Sequence, residues 1–219
     1  MRSSFRWTDL VRQIVLALAL LPFIPSPAAA FPARIPPIDQ CKGDPSFTKF
    51  LADLKRTVAK KDRPAFLSLL APDVLVDFGG GTGSKAFEDQ WEFDPTEYGN
   101  LWDQLETMIK MGCAKDGGSR IIPSLPMQVD QDVAMEWVVI LPGAKLYKMV
   151  GELSPKPQTI PWTVATVTSR ASDTMTGVRL PDGREGYVPD DLVYEPIGYR
   201  MIVEKRAGKW MITAFVAGD

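Results

Sequence analysis

The chain has 219 residues, a formal net charge of −2 at pH 7 and no histidine. The absence of histidine excludes Ser-His and Cys-His catalytic pairs together with histidine metal sites. Phosphate-backbone binding draws on a basic surface, so the slightly acidic charge balance predicts no nucleic-acid partner. From the lack of histidine and of a catalytic motif we expect no cofactor, no metal and no catalytic residue.

The first 30 residues have the pattern of a secretory signal peptide. Three arginines precede the apolar run 14–24, and alanines 28–30 provide an A-x-A cleavage site before Phe31. A spanning helix needs about 20 apolar residues, so this run is too short for a membrane anchor, which is the alternative. We expect cleavage, which removes three Arg and one Asp and leaves a formal charge of −4. The mature protein would be periplasmic or secreted, with no membrane span.

Two cysteines, Cys41 and Cys113, remain after cleavage. An exported protein folds in an oxidising compartment, where paired cysteines form disulfides. We therefore predict a Cys41–Cys113 disulfide; the alternative is two separate buried thiols.

A Pro-rich, extended lead-in is predicted for residues 31–43, followed by a helical/β domain at 44–132. Asp44 and Pro45 provide an N-cap and a first helical position for a helix over about 45–60. A second, short helix is predicted after Asp62. Its apolar residues are Phe66, Leu67, Leu69 and Leu70. After it, the residues 74–78 are typical of a strand.

The glycine-rich segment 79–85 lies between that strand and a predicted helix containing Phe87 and Trp91. A P-loop requires Gly-Lys-Ser/Thr in that order, but Ser84 separates Gly83 from Lys85. A dinucleotide loop starting at residue 79 would need a third glycine where Ser84 stands. We interpret the segment as a flexible turn from strand to helix.

Another helix start is predicted at 94–97, where proline stands at the first helical position. The buried face of this helix runs from Leu101 to Ile109, and Gly112 is a plausible stop. Residues 115–132 show no clear period, and we interpret them as the boundary between the helical part and a β part.

From residue 133 onwards the pattern predicts strands and turns. The expected strands are 134–141, 144–147, 162–168, 176–180 and 186–188, with a closing hairpin of 199–204 and 209–216. The predicted fold class is therefore α+β, with a β-barrel domain at 133–196 and a C-terminal hairpin at 197–219. The hairpin either stands alone or completes the 44–132 domain, with the barrel inserted between them.

The segment 177–189, with the sequence GVRLPDGREGYVP, closely resembles the late hairpin of bacterial SH3-like domains. Residues 144–147 resemble the opening strand of that family, and the resemblance extends from Ala144 to about Pro196. One departure is Met175-Thr176, where many members have a tryptophan. The resemblance implies an SH3-like barrel that recognises peptidoglycan or a protein partner at the cell envelope.

A second resemblance links the two ends of the chain. Residues 59–74 are similar to the helix-helix-strand opening of the nuclear transport factor 2-like (cystatin-like cone) superfamily, and 204–212 are similar to its closing hairpin. This resemblance implies that the hairpin packs on the first two helices, with Trp210 or Phe215 touching them. Relatives of this kind often enclose an apolar pocket.

These observations favour a non-catalytic binding or scaffolding protein. The candidate binding residues are the aromatic side chains of Tyr147, Trp162, Tyr187 and Tyr194. Tyr187 is the first choice, because Gly186 would let the backbone of a partner approach, and Val188 should point inward. The alternatives are a small-ligand carrier or histidine-independent enzyme in the cone-like part, and a purely structural protein. The carrier or enzyme would use the carboxylates Asp77, Glu88, Asp89 and Glu92, with Trp91 and Trp102 as walls.

Overall fold

The computed structural model describes residues 33–91, 93–94, 101–129, 136–148, 159–172 and 174–218. Within these ranges the helices are α1 (Pro45–Lys60), α2 (Arg63–Leu67), α3 (Gly83–Gln90) and α4 (Leu101–Lys110), with short 3-10 helices at Leu125–Gln128 and Asp190–Leu192. The strands are β1 (Leu70–Leu75), β2 (Ala114–Asp116), β3 (Ser119–Ile122), β4 (Trp137–Ile140), β5 (Val164–Ser172), β6 (Met175–Arg179), β7 (Glu185–Pro189), β8 (Val193–Tyr194), β9 (Arg200–Arg206) and β10 (Lys209–Val216). The class is α+β, as expected.

The predicted first helix is confirmed as α1. The Asp44 carboxylate accepts hydrogen bonds from the backbone N–H groups of Ser46 and Phe47 at 3.0 and 3.1 Å, which satisfies donors that the helix itself cannot. The helix ends at Lys61, which has a left-handed φ of 53°.

The prediction for the next segment is partly wrong. Helix α2 stops at Leu67, and β1 begins at Leu70, four residues before the expected strand. Pro72 lies inside this strand, which the structure tolerates because β1 is at the edge of its sheet. Beyond Leu75 the chain turns, so Phe78 is not in a strand and is 54% exposed.

The first sheet has the order β1-β10-β9-β3-β2, with β1 parallel to β10 and the other pairs antiparallel. The boundary expected at 115–132 is therefore wrong in its described part, because β2 and β3 form a hairpin inside this sheet. These strands have three and four residues, too few to show a period in the sequence. The end of α4 is as predicted, with Gly112 at a φ of 77°.

The packing predicted for the closing hairpin is confirmed. Strand β10 pairs with β1, and β9 pairs with β3. The Trp210 ring lies 5.1 Å from the ring of Phe47 on α1, and the Phe215 ring lies 5.6 Å from that of Phe87 on α3. The two ends of the chain therefore build one layer of strands covered by the helices.

The second sheet is antiparallel, with the order β7-β6-β5-β4-β8, and within the described ranges it is not a closed barrel. The strand expected at 144–147 is present only as isolated bridges of Lys145 with Thr159 and of Tyr147 with Tyr187. One core lies under this sheet. Its buried members are Val138, Ile140, Ala144, Ile160, Ala165, Val178, Leu180 and Val188.

The lead-in forms an N-terminal strap, residues 33–41, that touches both sheets. Ile35 N–H donates to the Trp162 carbonyl at 2.8 Å beside β5, and Gln40 N–H donates to the Cys113 carbonyl at 2.8 Å beside β2. The predicted Cys41–Cys113 disulfide is confirmed, and both cysteines are 2% exposed. All the described residues belong to one compact unit.

The expected signal peptide lies outside the described residues. In the part of the chain that is described, no helix is long and apolar enough to cross a membrane.

Candidate functional site

Tyr147 and Tyr187 lie side by side at the β7 edge of the second sheet. Their backbones exchange two hydrogen bonds, with Tyr147 N to Tyr187 O at 2.8 Å and Tyr187 N to Tyr147 O at 2.9 Å. Directly opposed residues of an antiparallel pair present their side chains on the same face. Both side chains are half-buried.

The alternation of β7 fixes which face this is. Val188 is fully buried in the core of the second sheet, as predicted, and Gly186 is also buried. Tyr187 lies between them in the sequence and therefore points away from the core. We call this outward surface, formed by Tyr147, Tyr187, Gly177, Thr168 and Ser169, the tyrosine face.

The prediction that Gly186 leaves room for a partner is wrong. A Cβ atom at this position would lie 2.5 Å from the Tyr147 carbonyl oxygen and 2.8 Å from the Leu146 side chain. The space beside Gly186 is therefore filled by the protein's own chain, which lets residues 146 and 147 approach β7.

Gly177 is the cross-strand neighbour of Tyr187 on β6, and Ser169 follows on β5. A Cβ atom on Gly177 would lie 2.3 Å from the Ser169 hydroxyl and 3.1 Å from the Thr168 hydroxyl. Both hydroxyls consequently occupy the side of the sheet on which Tyr187 stands. Sequence reasoning missed these three residues, because only the strand register places them together.

The other two candidate aromatics are elsewhere. Trp162 lies in a turn two residues before β5, with a left-handed φ of 60°, and its backbone N–H donates to the Ile140 carbonyl at 2.6 Å. Tyr194 is buried rather than exposed, and its hydroxyl donates to the Tyr199 carbonyl at 2.8 Å. Burial raises the pKa of Tyr194 above its ordinary value, since ionisation would place an unsolvated charge there.

The glycine-rich segment is a turn closed by its own carboxylate. The Gly81 N–H donates to the Asp77 carboxylate at 3.1 Å, and Val76 N–H donates to the Gly81 carbonyl at 3.0 Å. A phosphate would meet a negative charge here instead of free N–H groups. The geometry agrees with the interpretation as a strand-to-helix turn and not with a phosphate loop.

Two of the carboxylates suggested for catalysis are each bound to a different basic side chain. Glu88 bonds to Arg63 at 2.7 Å, and the exposed Asp89 bonds to Lys85 at 2.8 Å. Glu92 lies outside the described residues. Among the described residues, no group of three or more His, Cys, Asp or Glu side chains could hold a metal ion.

The interior between the helices and the first sheet is packed with aromatic side chains. Neighbouring rings lie 4.6–6.3 Å apart, and the set comprises Phe66, Phe87, Trp91, Phe93, Trp102, Tyr199 and Phe215. An open cleft of about 320 Å³ lies at the side of this cluster. It is lined by Arg63, Glu88, Trp91, Phe93 and Asp94. The Arg63 guanidinium stacks 4.7 Å over the Phe93 ring, which fixes one wall of the cleft.

Comparison with known proteins gives no family for the chain: no family model matches it, and no curated protein matches it. Among solved structures, an Rd1NTF2 chain is 13% identical, covers 78% of this chain and 96% of its own length, and has a TM-score of 0.27. A putative calcium/calmodulin dependent protein kinase II association domain from Xanthomonas campestris is 10% identical, covers 86% of this chain and 97% of its own, and has a TM-score of 0.31. With both TM-scores below 0.5, neither similarity assigns a ligand.

Proposed function

We propose that this is a non-catalytic binding or scaffolding protein of the bacterial cell envelope, in which the second sheet is an SH3-like recognition module. Its ligand would be an envelope component, either peptidoglycan or a protein. The observation that carries the proposal is the position of Tyr147 and Tyr187, which lie together and face outward. Clustered aromatic side chains supply rigid contact area at low cost in conformational entropy.

Two features of the second sheet support the SH3-like interpretation. The hairpin of β6 and β7 turns at Asp182-Gly183, where Gly183 has a φ of 84°. The segment 141–147 begins near β8, where the Leu141 N–H donates to the Leu192 carbonyl at 2.8 Å. It ends at β7, where Tyr147 pairs with Tyr187. It connects the two edges of the sheet around a single core, which is how a small barrel is built.

The alternative function is a small-ligand carrier or histidine-independent enzyme that uses the cleft beside Trp91 and Phe93. The stacked Arg63 and the two aromatic side chains favour this cleft as the location. A paired-carboxylate reaction needs two acids that share one site, whereas Glu88 is engaged by Arg63. The geometry therefore supports recognition by the tyrosine face better than catalysis in the cleft.

The experiment compares three variants for retention on purified sacculi and, separately, on an extract of envelope proteins. Tyr187→Ala removes the central ring, Glu88→Gln alters the cleft, and Phe78→Ala is the matched control, since Phe78 is an exposed aromatic away from the second sheet. Thermal unfolding of each variant shows whether it folds.

We expect Tyr187→Ala to lose retention about tenfold or more, with the other two variants close to wild type. Retention that survives Tyr187→Ala would refute binding by the tyrosine face. Retention that falls with Glu88→Gln at unchanged stability would move the site to the cleft.

A further inference from the structure

We propose that the tyrosine face binds an uncharged glycan chain, with a sugar ring stacked on Tyr187 and the hydroxyls of Thr168 and Ser169 bonding its equatorial oxygens. This inference rests on the proposed function and names the class of ligand. A pyranose has one face of C–H groups and a rim of hydroxyls, so it requires an aromatic plane beside short hydrogen-bonding groups.

Gly177 lets a hydroxyl lie beside the stacking ring. It is directly opposite Tyr187, and the Ser169 hydroxyl fills the place of the side chain that Gly177 lacks, 2.3 Å from where a Cβ atom would stand. The bulge between Val167 and Ser169 brings two consecutive residues of β5 to this side. Thr168 and Ser169 are both exposed, and neither hydroxyl bonds to another protein group within the described part of the chain.

One ion pair on the outward side of β6 and β7 favours a neutral ligand. In the cross-strand pair two positions from Tyr187, Arg179 bonds to Glu185 at 2.7 Å, so these two charges neutralise each other. This pair offers no unpaired cation to a phosphate or a carboxylate polymer, and the aromatic and hydroxyl groups of the face provide the contacts.

A peptide added as an extra strand fits this location less well than a glycan. Strand addition uses the free N–H and C=O groups of a sheet edge. At the centre of the β7 edge both backbone groups of Tyr187 are already bonded to Tyr147. A ligand must therefore approach from the face of the sheet, where side chains and not backbone groups are available.

The test uses the purified, disulfide-bonded protein and two soluble probes, an N-acetylglucosamine hexamer and a tetrapeptide with the sequence of a peptidoglycan stem. Binding of each probe is measured by calorimetry, and each is used as a competitor for retention on sacculi. The variants are Tyr187→Ala, Tyr187→Phe and Ser169→Ala, with Phe78→Ala as control. Ser169→Ala changes an exposed hydroxyl and leaves the core intact, so it remains informative if Tyr187→Ala does not fold.

We expect the hexamer to bind and to compete. Tyr187→Ala should weaken its binding about tenfold or more, and Ser169→Ala about threefold to tenfold, while Tyr187→Phe and Phe78→Ala stay near wild type. Retention on sacculi that only the tetrapeptide displaces would overturn the glycan inference and leave the proposed function standing. Hexamer binding that is insensitive to Tyr187→Ala and Ser169→Ala would also overturn it. Hexamer binding without retention on sacculi or on envelope proteins would overturn the proposed function instead.

Discussion

Removal of the Cys41–Cys113 disulfide should lower the stability of the protein substantially. The bond closes a loop with a sequence separation of 72 residues. In the chain-entropy model a loop of this length contributes about 4 kcal/mol at 25 °C, because it restricts the unfolded chain. For a domain of 150–250 residues each kcal/mol corresponds to about 2–4 °C, so the melting temperature should fall by about 8–16 °C.

The perturbation is the double variant Cys41→Ala/Cys113→Ala, compared with the oxidised wild type and with wild type in a reducing buffer. Urea denaturation gives the free energy of unfolding of each. The reduced wild type and the double variant should agree to within about 1 kcal/mol, because both lack the same constraint.

The disulfide also has a local effect, since it anchors one end of the N-terminal strap. The other end is held by hydrogen bonds near Trp162 and by the Arg34 side chain, which donates to the Pro161 carbonyl at 2.9 Å. Loss of the bond should therefore accelerate tryptic cleavage after Arg34 in the native state. A double variant within 1 kcal/mol of the oxidised protein, with unchanged cleavage after Arg34, would refute this account of the strap.

Three further predictions concern the stability of the variants Trp210→Phe, Tyr194→Phe and Gly112→Ala. Trp210→Phe should lower the free energy of unfolding by about 1 kcal/mol or more, because the indole N–H donates to the Ser46 hydroxyl at 2.9 Å. In a double-mutant cycle Ser46→Ala should cost less in the Trp210→Phe background than in wild type, and the cost that remains is the loss of the bond from the Ser46 hydroxyl to the Asp44 carboxylate. The pKa of Tyr194 is raised in the folded protein, so the unfolded chain ionises first as the pH rises. Stability should therefore fall above about pH 10, the ordinary pKa of tyrosine, and Tyr194→Phe should reduce this alkaline loss in a pH series of denaturation curves. Gly112→Ala should cost about 2 kcal/mol or more by urea denaturation, since φ is 77° and the new Cβ would lie 2.1 Å from the Ile38 carbonyl oxygen; a near-neutral result would contradict the close approach.

Local signals predicted the elements whose ends are set by local chemistry. The cap at Asp44 and the stop at Gly112 were readable because an N-cap and a left-handed glycine act within one turn of helix. The early start of β1 at Leu70 could not be predicted from the local sequence, because Ile212, the pairing partner of Leu70, lies 142 positions further along the chain. Tertiary pairing of this kind overrides a local helical pattern.

The burial of Tyr194 shows the same limit at the candidate site. Its side chain is covered because β8 pairs with β4 and the following residues fold over it; a Cβ atom at position 198, which is glycine, would lie 3.6 Å from the ring. The local sequence around Tyr194 does not differ from that around an exposed aromatic residue of a strand. The burial of Tyr194 follows from its place in the fold and not from its residue type.

Strand register explains why one half of the tyrosine face could be predicted and the other could not. The turn at Gly183 sets the pairing of β6 with β7, since Gly183 N–H donates to the Leu180 carbonyl at 2.9 Å and Leu180 N–H donates to the Arg184 carbonyl at 2.8 Å. A slip of one residue would turn Val188 outward and Tyr187 into the core, so the turn and the alternation together orient Tyr187 from the sequence alone. Tyr147 reaches the same face through a connection whose register no local signal defines. The aromatic pair is therefore a product of the long-range path of the chain, and Gly186 is the residue that permits it.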